Sequence, residues 1–240
     1  MHYQPIVNLA TSEVVGFESL MRWPHPERGW IPPDVFIPLA EQSDLIIELG
    51  AFALREATTA ASGWNLDDEC FVTVNVSANQ FGDPNLAATV EAALEESGLA
   101  SSQLVLEITE SATLRDVGET MRTLGHLRRR GVGIALDDYG TGHASLSYLM
   151  DLQPTMLKID KSFVNLKWAS ARNDMVLEAV VALANNLKVA TIGEGIETPE
   201  QLERMRDLGC QMGQGYLFSP AVPASEVPGQ LAERRLESAS

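Results

Sequence analysis

The stretch Gly133-Ile134-Ala135-Leu136-Asp137-Asp138-Tyr139-Gly140-Thr141-Gly142 governs the reading of the whole chain. Its apolar start lacks polar alternation, as expected of a parallel strand covered on both faces. It stops on two acids and runs into a loop whose glycines permit a tight turn or close backbone approach to a ligand. Adjacent carboxylates repel one another unless a cation or a proton shares them, so the stretch is either a solvated strand end or a cation site. What stands at the ends of the other strands decides between the two.

On the upstream side, residues 104–110 read as a strand with Glu107 among apolar neighbours, and residues 70–76 as a strand with Asn75 near its carboxyl end. Residues 155–160 form a short strand whose Lys158, between Leu157 and Ile159, is poorly suited to a plain core. Residues 189–194 are again a strand ending on an acid, Glu194, followed by Gly195-Ile196-Glu197. Near the amino end, residues 2–7 and 14–23 read as two strands joined by a turn at Ala10-Thr11-Ser12. The period of two puts Glu18, Leu20 and Arg22 on one face of the second. Residues 211–217 give a last short strand.

Between these strands the apolar residues change to helical spacing. Two helices are expected between residues 33 and 61, opened by Pro33-Asp34 after a Pro- and Gly-rich loop at 23–33. Others cover 86–94 with a stop at Gly98, 116–130, 171–187, 199–209 behind Thr198-Pro199, and 223–236. Arg128, Arg129 and Arg130 complement the negative end of the 116–130 helix, a better account than a nucleic-acid patch. This alternation predicts an α/β chain closed into a (β/α)8 TIM-type barrel. The first two strands lack an intervening helix, which predicts an antiparallel first strand.

The 240 residues are 45% hydrophobic with no bilayer-length apolar run, suiting one large domain over residues 1–240 with a sizeable core. A strand starting almost at the first residue suggests a domain excised from a longer protein. No secretory leader opens the sequence, and Cys70 and Cys210 read as reduced core thiols of a cytoplasmic protein. Lys plus Arg number 17 against 33 Asp plus Glu, a formal charge of -16. Such a surface repels bulk nucleic acid, while a small anionic ligand can still bind where metal ions reverse the local sign.

Glu18, Asn75, Glu107, the Asp137-Asp138 pair, Lys158, Glu194 and Gln214 thus each fall in or at the end of a barrel strand. Carboxyl ends of barrel strands converge on one mouth, where active sites are built. Oxygen ligands without a His or Cys cluster favour Mg²⁺ or Mn²⁺ over zinc. Two metals bridged by a carboxylate suit phosphodiester cleavage, with Lys158 orienting or deprotonating the water or stabilising charge on the phosphorane. An enolase-like use of Lys and a metal-held enolate is the competing barrel chemistry, and the paired acids favour phosphate over it.

With these residues placed, the sequence resembles the EAL-domain cyclic-di-GMP phosphodiesterases over nearly its whole length. The strings YQPIV, GFESLMRW, FIPLAE, VNVSANQ, LEITES, DDYGTG, LKIDKSF, GEGIET and QGYLFSP occur in the family's order. The resemblance implies a modified barrel with an antiparallel first strand and hydrolysis of cyclic di-GMP to the linear dinucleotide pGpG. It also implies metal ligation, by two Mg²⁺ or Mn²⁺, through Glu18, Asn75, Glu107, Asp137 and Asp138, with Glu194 near the second metal. Lys158 and Glu194 are the implied catalytic pair; Gln4, Leu20, Arg22, Glu197 and Gln214 lie near substrate or water, and Glu110 supports the loop after the paired aspartates. A homodimer and an upstream sensor or diguanylate-cyclase-like domain are the implied partners, with no membrane contact from this domain. The alternative within the family is a receptor that keeps the nucleotide site and loses metals; such proteins usually lack several of the acids, all of which are present here. The signature tripeptide reads Glu18-Ser19-Leu20 with Ser in place of Ala, and Tyr139, His143 and Ala144 stand where Phe, Tyr and Ser are commoner. None removes an implied ligand, and strand alternation points Ser19 away from Glu18.

Overall fold

The computed structural model describes residues 1–64, 70–109, 117–139, 146–165 and 171–231; the side chains of Val117, Asp138, Tyr139, Leu146, Ser147, Tyr148, Ala171 and Arg172 lie outside the description. Among the described residues, eight strands close a barrel. They are β1 (His2–Asn8), β2 (Val14–Leu20), β3 (Phe71–Asn75), β4 (Leu104–Thr109), β5 (Gly133–Tyr139), β6 (Met156–Ile159), β7 (Ala190–Gly193) and β8 (Met212–Gly213). Neighbours from β2 to β8 are parallel. The first strand runs against both of its neighbours: Gln4 faces Glu18 on β2, and Val7 faces Gly213 on β8. The sequence expectation of an antiparallel β1 holds, for the reason given: an eight-to-thirteen turn leaves no room for the crossover that a parallel pair needs.

Helices α1 (Pro33–Ala40), α2 (Leu45–Gly63), α3 (Leu86–Ser97), α4 (Val117–Arg129), α5 (Leu146–Leu152), α6 (Lys161–Val164), α7 (Ala171–Asn186) and α8 (Pro199–Asp207) fill the connections. Their ends follow local chemistry. Gly98 closes α3 with φ of 72°, and Thr198 opens α8 through a capping box with Gln201. Phe17, Leu54, Ala57, Val72, Leu104, Leu106 and Ile134 pack the barrel wall against the helices. Inside the barrel, Ile6, Phe71, Val105, Ala135, Ile192 and Met212 form an apolar floor. Cys70 and Cys210 are free, buried thiols.

The helices α5 and α6 have no counterpart in the sequence expectation, and three further segments differ from it. The 23–33 loop contains a two-stranded hairpin, Trp23–His25 with Gly29–Ile31, so β2 ends at Leu20. The last barrel strand shrinks to Met212–Gly213, because Gly215 adopts φ of 156° and turns the chain. The closing segment begins with Val222–Pro223 paired to β1, then a tight turn at Ala224–Glu226 before helix over 227–231.

Candidate active site

The strands carry their polar residues to one end of the barrel. Residues of β3 and β4 pair as Asn75 with Glu107, and the pleat turns both into the lumen above the floor set by Phe71 and Val105. On β6, Lys158 follows the floor-packed Met156 by two residues, so it also points inward. Its Nζ lies 2.6 Å from Glu107 Oε2, 2.7 Å from Glu194 Oε1, 3.4 Å from Glu18 Oε1 and 3.6 Å from Asp137 Oδ1. Neutral amides complete the network. Asn75 Nδ2 donates to Glu18 Oε1 at 3.1 Å, and Gln214 Nε2 to Glu18 Oε2 at 2.6 Å and Glu194 Oε1 at 3.3 Å.

The cluster is buried at its base and open above. Glu107 and Lys158 are each 1% exposed, whereas the side chains of Asp137 and Glu194 are 15% and 16% exposed. Burial, followed by the charge of Glu18, raises the Glu107 carboxyl well above the ordinary range despite Lys158. Burial likewise lifts Glu194 to about 7, against the pull of Lys158 and with a further push from Asp137 and Glu18. Burial also acts to raise Glu18, but Lys158 and the amides of Gln214 and Asn75 outweigh it and hold that carboxyl below its usual value. For Lys158, burial disfavours the charge; Glu107, Glu18, Glu194 and Asp137 together overcome it and raise its pKa. The ammonium is therefore locked in its charged form.

Four carboxylates share that single ammonium, so the cluster has an excess of negative charge and room for cations. Among the described residues no trio of His, Cys, Asp or Glu closes into a ready metal cage, since the acids are spread around Lys158. The donor set nevertheless fits a hard divalent ion: every donor is oxygen, and Glu107 Oε1 is buried without a protein partner. Asp138 sits in β5 beside Asp137, its side chain outside the description, and Glu110, Gly140, Gly142, His143 and Ala144 lie outside the described residues.

The remaining sequence-chosen residues line the rim and do not join the cluster. Gln4 faces Glu18 in the β1–β2 register and donates through Nε2 to Ser219 O at 3.1 Å. Leu20 ends β2, and Arg22 just beyond it donates to Met21 O at 3.0 Å. Glu197 is exposed, its backbone N–H held by Gln201 Oε1 at 2.6 Å. Sequence reasoning missed a cavity of about 670 Å³ that opens beside Glu18 and Asn75, between the barrel wall and α1–α2. Glu41, Ser77 and Asn79 line it: Ser77 Oγ donates to Glu41 Oε1 at 2.5 Å and Asn79 Nδ2 to Glu41 O at 2.7 Å. The signal was present in FIPLAE and VNVSANQ, strings to which no role was attached beyond that of Asn75.

The sequence profile of the EAL domain matches residues 1–221. The chain belongs to the EAL domain family. Among its relatives, the cyclic di-GMP phosphodiesterase NbdA of Pseudomonas aeruginosa is 39% identical over 241 residues, covering 100% of this chain and 31% of NbdA. The structure of the PaMucR phosphodiesterase in complex with c-di-GMP superposes with a TM-score of 0.89 at 38% identity, covering 94% of this chain and 92% of that one. Klebsiella pneumoniae BlrP1, solved as a manganese/cy-diGMP complex, gives a TM-score of 0.82 at 26% identity over 92% of this chain and 55% of BlrP1. The chain spans about a third of the length of the curated relatives it matches. Among the described residues no helix is long and apolar enough to cross a membrane.

Proposed function

We propose that this EAL domain is a metal-dependent phosphodiesterase that hydrolyses cyclic di-GMP to linear pGpG. The observation that carries the reading is the Lys158 ammonium among the carboxylates of Glu18, Glu107, Asp137 and Glu194 at the mouth of the barrel. Membership of a family with c-di-GMP-bound members supplies the substrate.

Glu18, Asn75, Glu107, Asp137, Asp138 and Glu194 would hold two Mg²⁺ or Mn²⁺ ions. Those ions, when bound, polarise the phosphate and make water a stronger nucleophile. Lys158 points its fixed charge at the attacking water and offsets the negative charge that builds on the phosphate. Glu194, more exposed than Lys158, accepts the proton. Water oxygen then bonds to phosphorus, the bond to one ribose 3′ oxygen breaks, and that oxygen takes up a proton. Leu20, Arg22 and Glu197 stand on the rim to seat the nucleotide, and Glu110 props the loop after Asp138.

The domain works within a longer cytoplasmic signalling protein with an upstream sensor or diguanylate-cyclase-like domain, as a homodimer. The test is incubation of the purified protein with cyclic di-GMP, with Mg²⁺ or with excess chelator, and separation of the products by chromatography. Appearance of pGpG with metal alone is expected. Hydrolysis undiminished in chelator, or no hydrolysis with metal, overturns the reading.

A further inference from the structure

We infer that Gln214 is a positioning residue: its side-chain amide holds Glu18 and Glu194 at a set separation, and it does not touch the substrate. The inference rests on the proposed metal-dependent reaction and adds a role that the resemblance did not assign, since the resemblance put Gln214 near substrate or water.

Glu18 and Glu194 come from strands that are not neighbours. In the barrel order, β8 and β1 stand between β7, which leads into Glu194, and β2, which carries Glu18. No shared ladder therefore sets the distance between the two carboxylates. Gln214 leaves the end of β8 inside that gap. Its Nε2 has two N–H donors, and the nitrogen lies 2.6 Å from Glu18 Oε2 and 3.3 Å from Glu194 Oε1. Turning the amide over would aim its carbonyl oxygen at both acids, so the carboxylates fix its orientation.

Little of the side chain reaches the open mouth of the barrel, and its donors are taken up by the two acids. The residue is 5% exposed, and its Oε1 is buried without a hydrogen-bond partner. The backbone is held as firmly. Gln214 N–H donates to Gly193 O at 2.9 Å, and Ile196 N–H donates to Gln214 O at 3.0 Å. At the next residue a Cβ would lie 2.1 Å from Ile196 O with φ at 156°, so glycine is required and the chain cannot drift there.

Lys158 also reaches both acids, at 3.4 and 2.7 Å, but it brings a positive charge that offsets theirs. Gln214 does the same geometric work without adding charge. The acids stay oriented and keep their attraction for divalent cations. Partners that orient a ligating carboxylate typically carry about 10–100-fold in metal affinity or activity.

The test is Gln214→Met, which keeps the length of the side chain and removes both donors. The Mn²⁺ dissociation constant, titrated by calorimetry without nucleotide, should rise about tenfold or more, and kcat should fall about 10–100-fold. KM for cyclic di-GMP should stay within about twofold, because a group that does not touch substrate leaves ground-state binding alone. If Gln214→Met does not fold, as read by circular dichroism, Gln214→Ser serves the same comparison with water admitted at the same place. A raised KM with unchanged kcat and Mn²⁺ affinity overturns the inference and returns Gln214 to the substrate. All three unchanged overturns it in favour of plain packing. A parent protein that binds Mn²⁺ but leaves cyclic di-GMP intact removes the proposed reaction, and the Mn²⁺ comparison still decides the role of Gln214; a parent that binds no Mn²⁺ overturns both.

Discussion

The two ends of the barrel lumen are built from the same strands and have opposite chemistry. On β4 the floor residue Val105 is followed two positions later by Glu107; on β5, Ala135 by Asp137; on β6, Met156 by Lys158; and beyond β7, Ile192 by Glu194. One pleat period separates an apolar layer from a charged one. Burial of the floor stabilises the fold, at roughly 25 cal/mol per Å² of apolar surface removed from water. Burial of the charged layer costs stability unless each charge is paired, so that layer persists for what it does. The contrast teaches that a strand can serve stability at its amino end and chemistry at its carboxyl end without changing face.

The hardest way to break that contrast is to take the ammonium out of the upper layer. Lys158→Met should lower turnover at least about a hundredfold, the scale for losing an electrostatic stabiliser. Removing one partner of a buried ion pair costs about 3–5 kcal/mol, so the metal-free variant should also melt well below the parent. Added Mn²⁺ should recover much of that loss by supplying positive charge. A thermal melt with and without Mn²⁺ reads all of this, and an unchanged metal-free melt would show that the acids do not need Lys158.

The converse experiment is made on the floor. Phe71 is buried, and its ring lies where a Cβ on Gly16 would come within 2.6 Å, so the pair is a close-packed contact. Phe71→Ala should cost about 3–5 kcal/mol of stability. Because Phe71 belongs to the apolar layer and supplies no donor or acceptor to the Lys158 cluster, KM and the metal requirement of the folded fraction should not move. Denaturant unfolding beside a hydrolysis assay checks both, and a changed metal requirement would show that the two layers are coupled.

How much of this was legible in the sequence follows from the same contrast. An acid or lysine closing an apolar run breaks the local pattern, so Glu107, Asp137, Lys158 and Glu194 announced themselves. The distances among them did not. They depend on closure between β1 and β8, which no local pattern encodes. The 23–31 hairpin was unreadable because its strands are three residues each and rich in Pro and Gly, the composition of a loop. The burial of Gln214 was hidden for a related reason: its strand is two residues long and shows no alternation.

A pH titration sharpens the comparison at intermediate size. A carboxyl must lose its proton to ligate a cation, and Glu194 is lifted to about 7, with Glu107 also raised. Mn²⁺ affinity should therefore fall as the pH drops below about 7, by up to about tenfold per pH unit for each proton displaced. Above that range the Glu194 contribution should level off. Calorimetry in buffers of different ionisation enthalpy counts the protons released, and Glu194→Gln should release fewer. Mn²⁺ affinity that is flat between about pH 5.5 and 7 would mean that the acids are already ionised before the metal arrives.

The smallest expected effect lies just outside the lumen, one residue from the charged layer. Ser19 alternates with Glu18, so it faces away from the metals, beside Tyr3 and Val74 in the strand register. It lines the cavity under α1–α2, is 3% exposed, and its Oγ has no hydrogen-bond partner. A buried hydroxyl left unpaired costs about 1–3 kcal/mol relative to one that is satisfied, so removing it should help the fold. Ser19→Ala should stabilise the protein by about 1 kcal/mol, a rise of roughly 2–4 °C in Tm for a domain of this size. Turnover should stay within about twofold, because Glu18 keeps its bonds to Asn75 and Gln214. A denaturant melt and a hydrolysis assay on the same preparation separate the outcomes. Loss of stability would mean that an ordered water satisfies the hydroxyl. Loss of turnover at unchanged stability would instead tie the cavity to the nucleotide, extending the functional layer through the barrel wall.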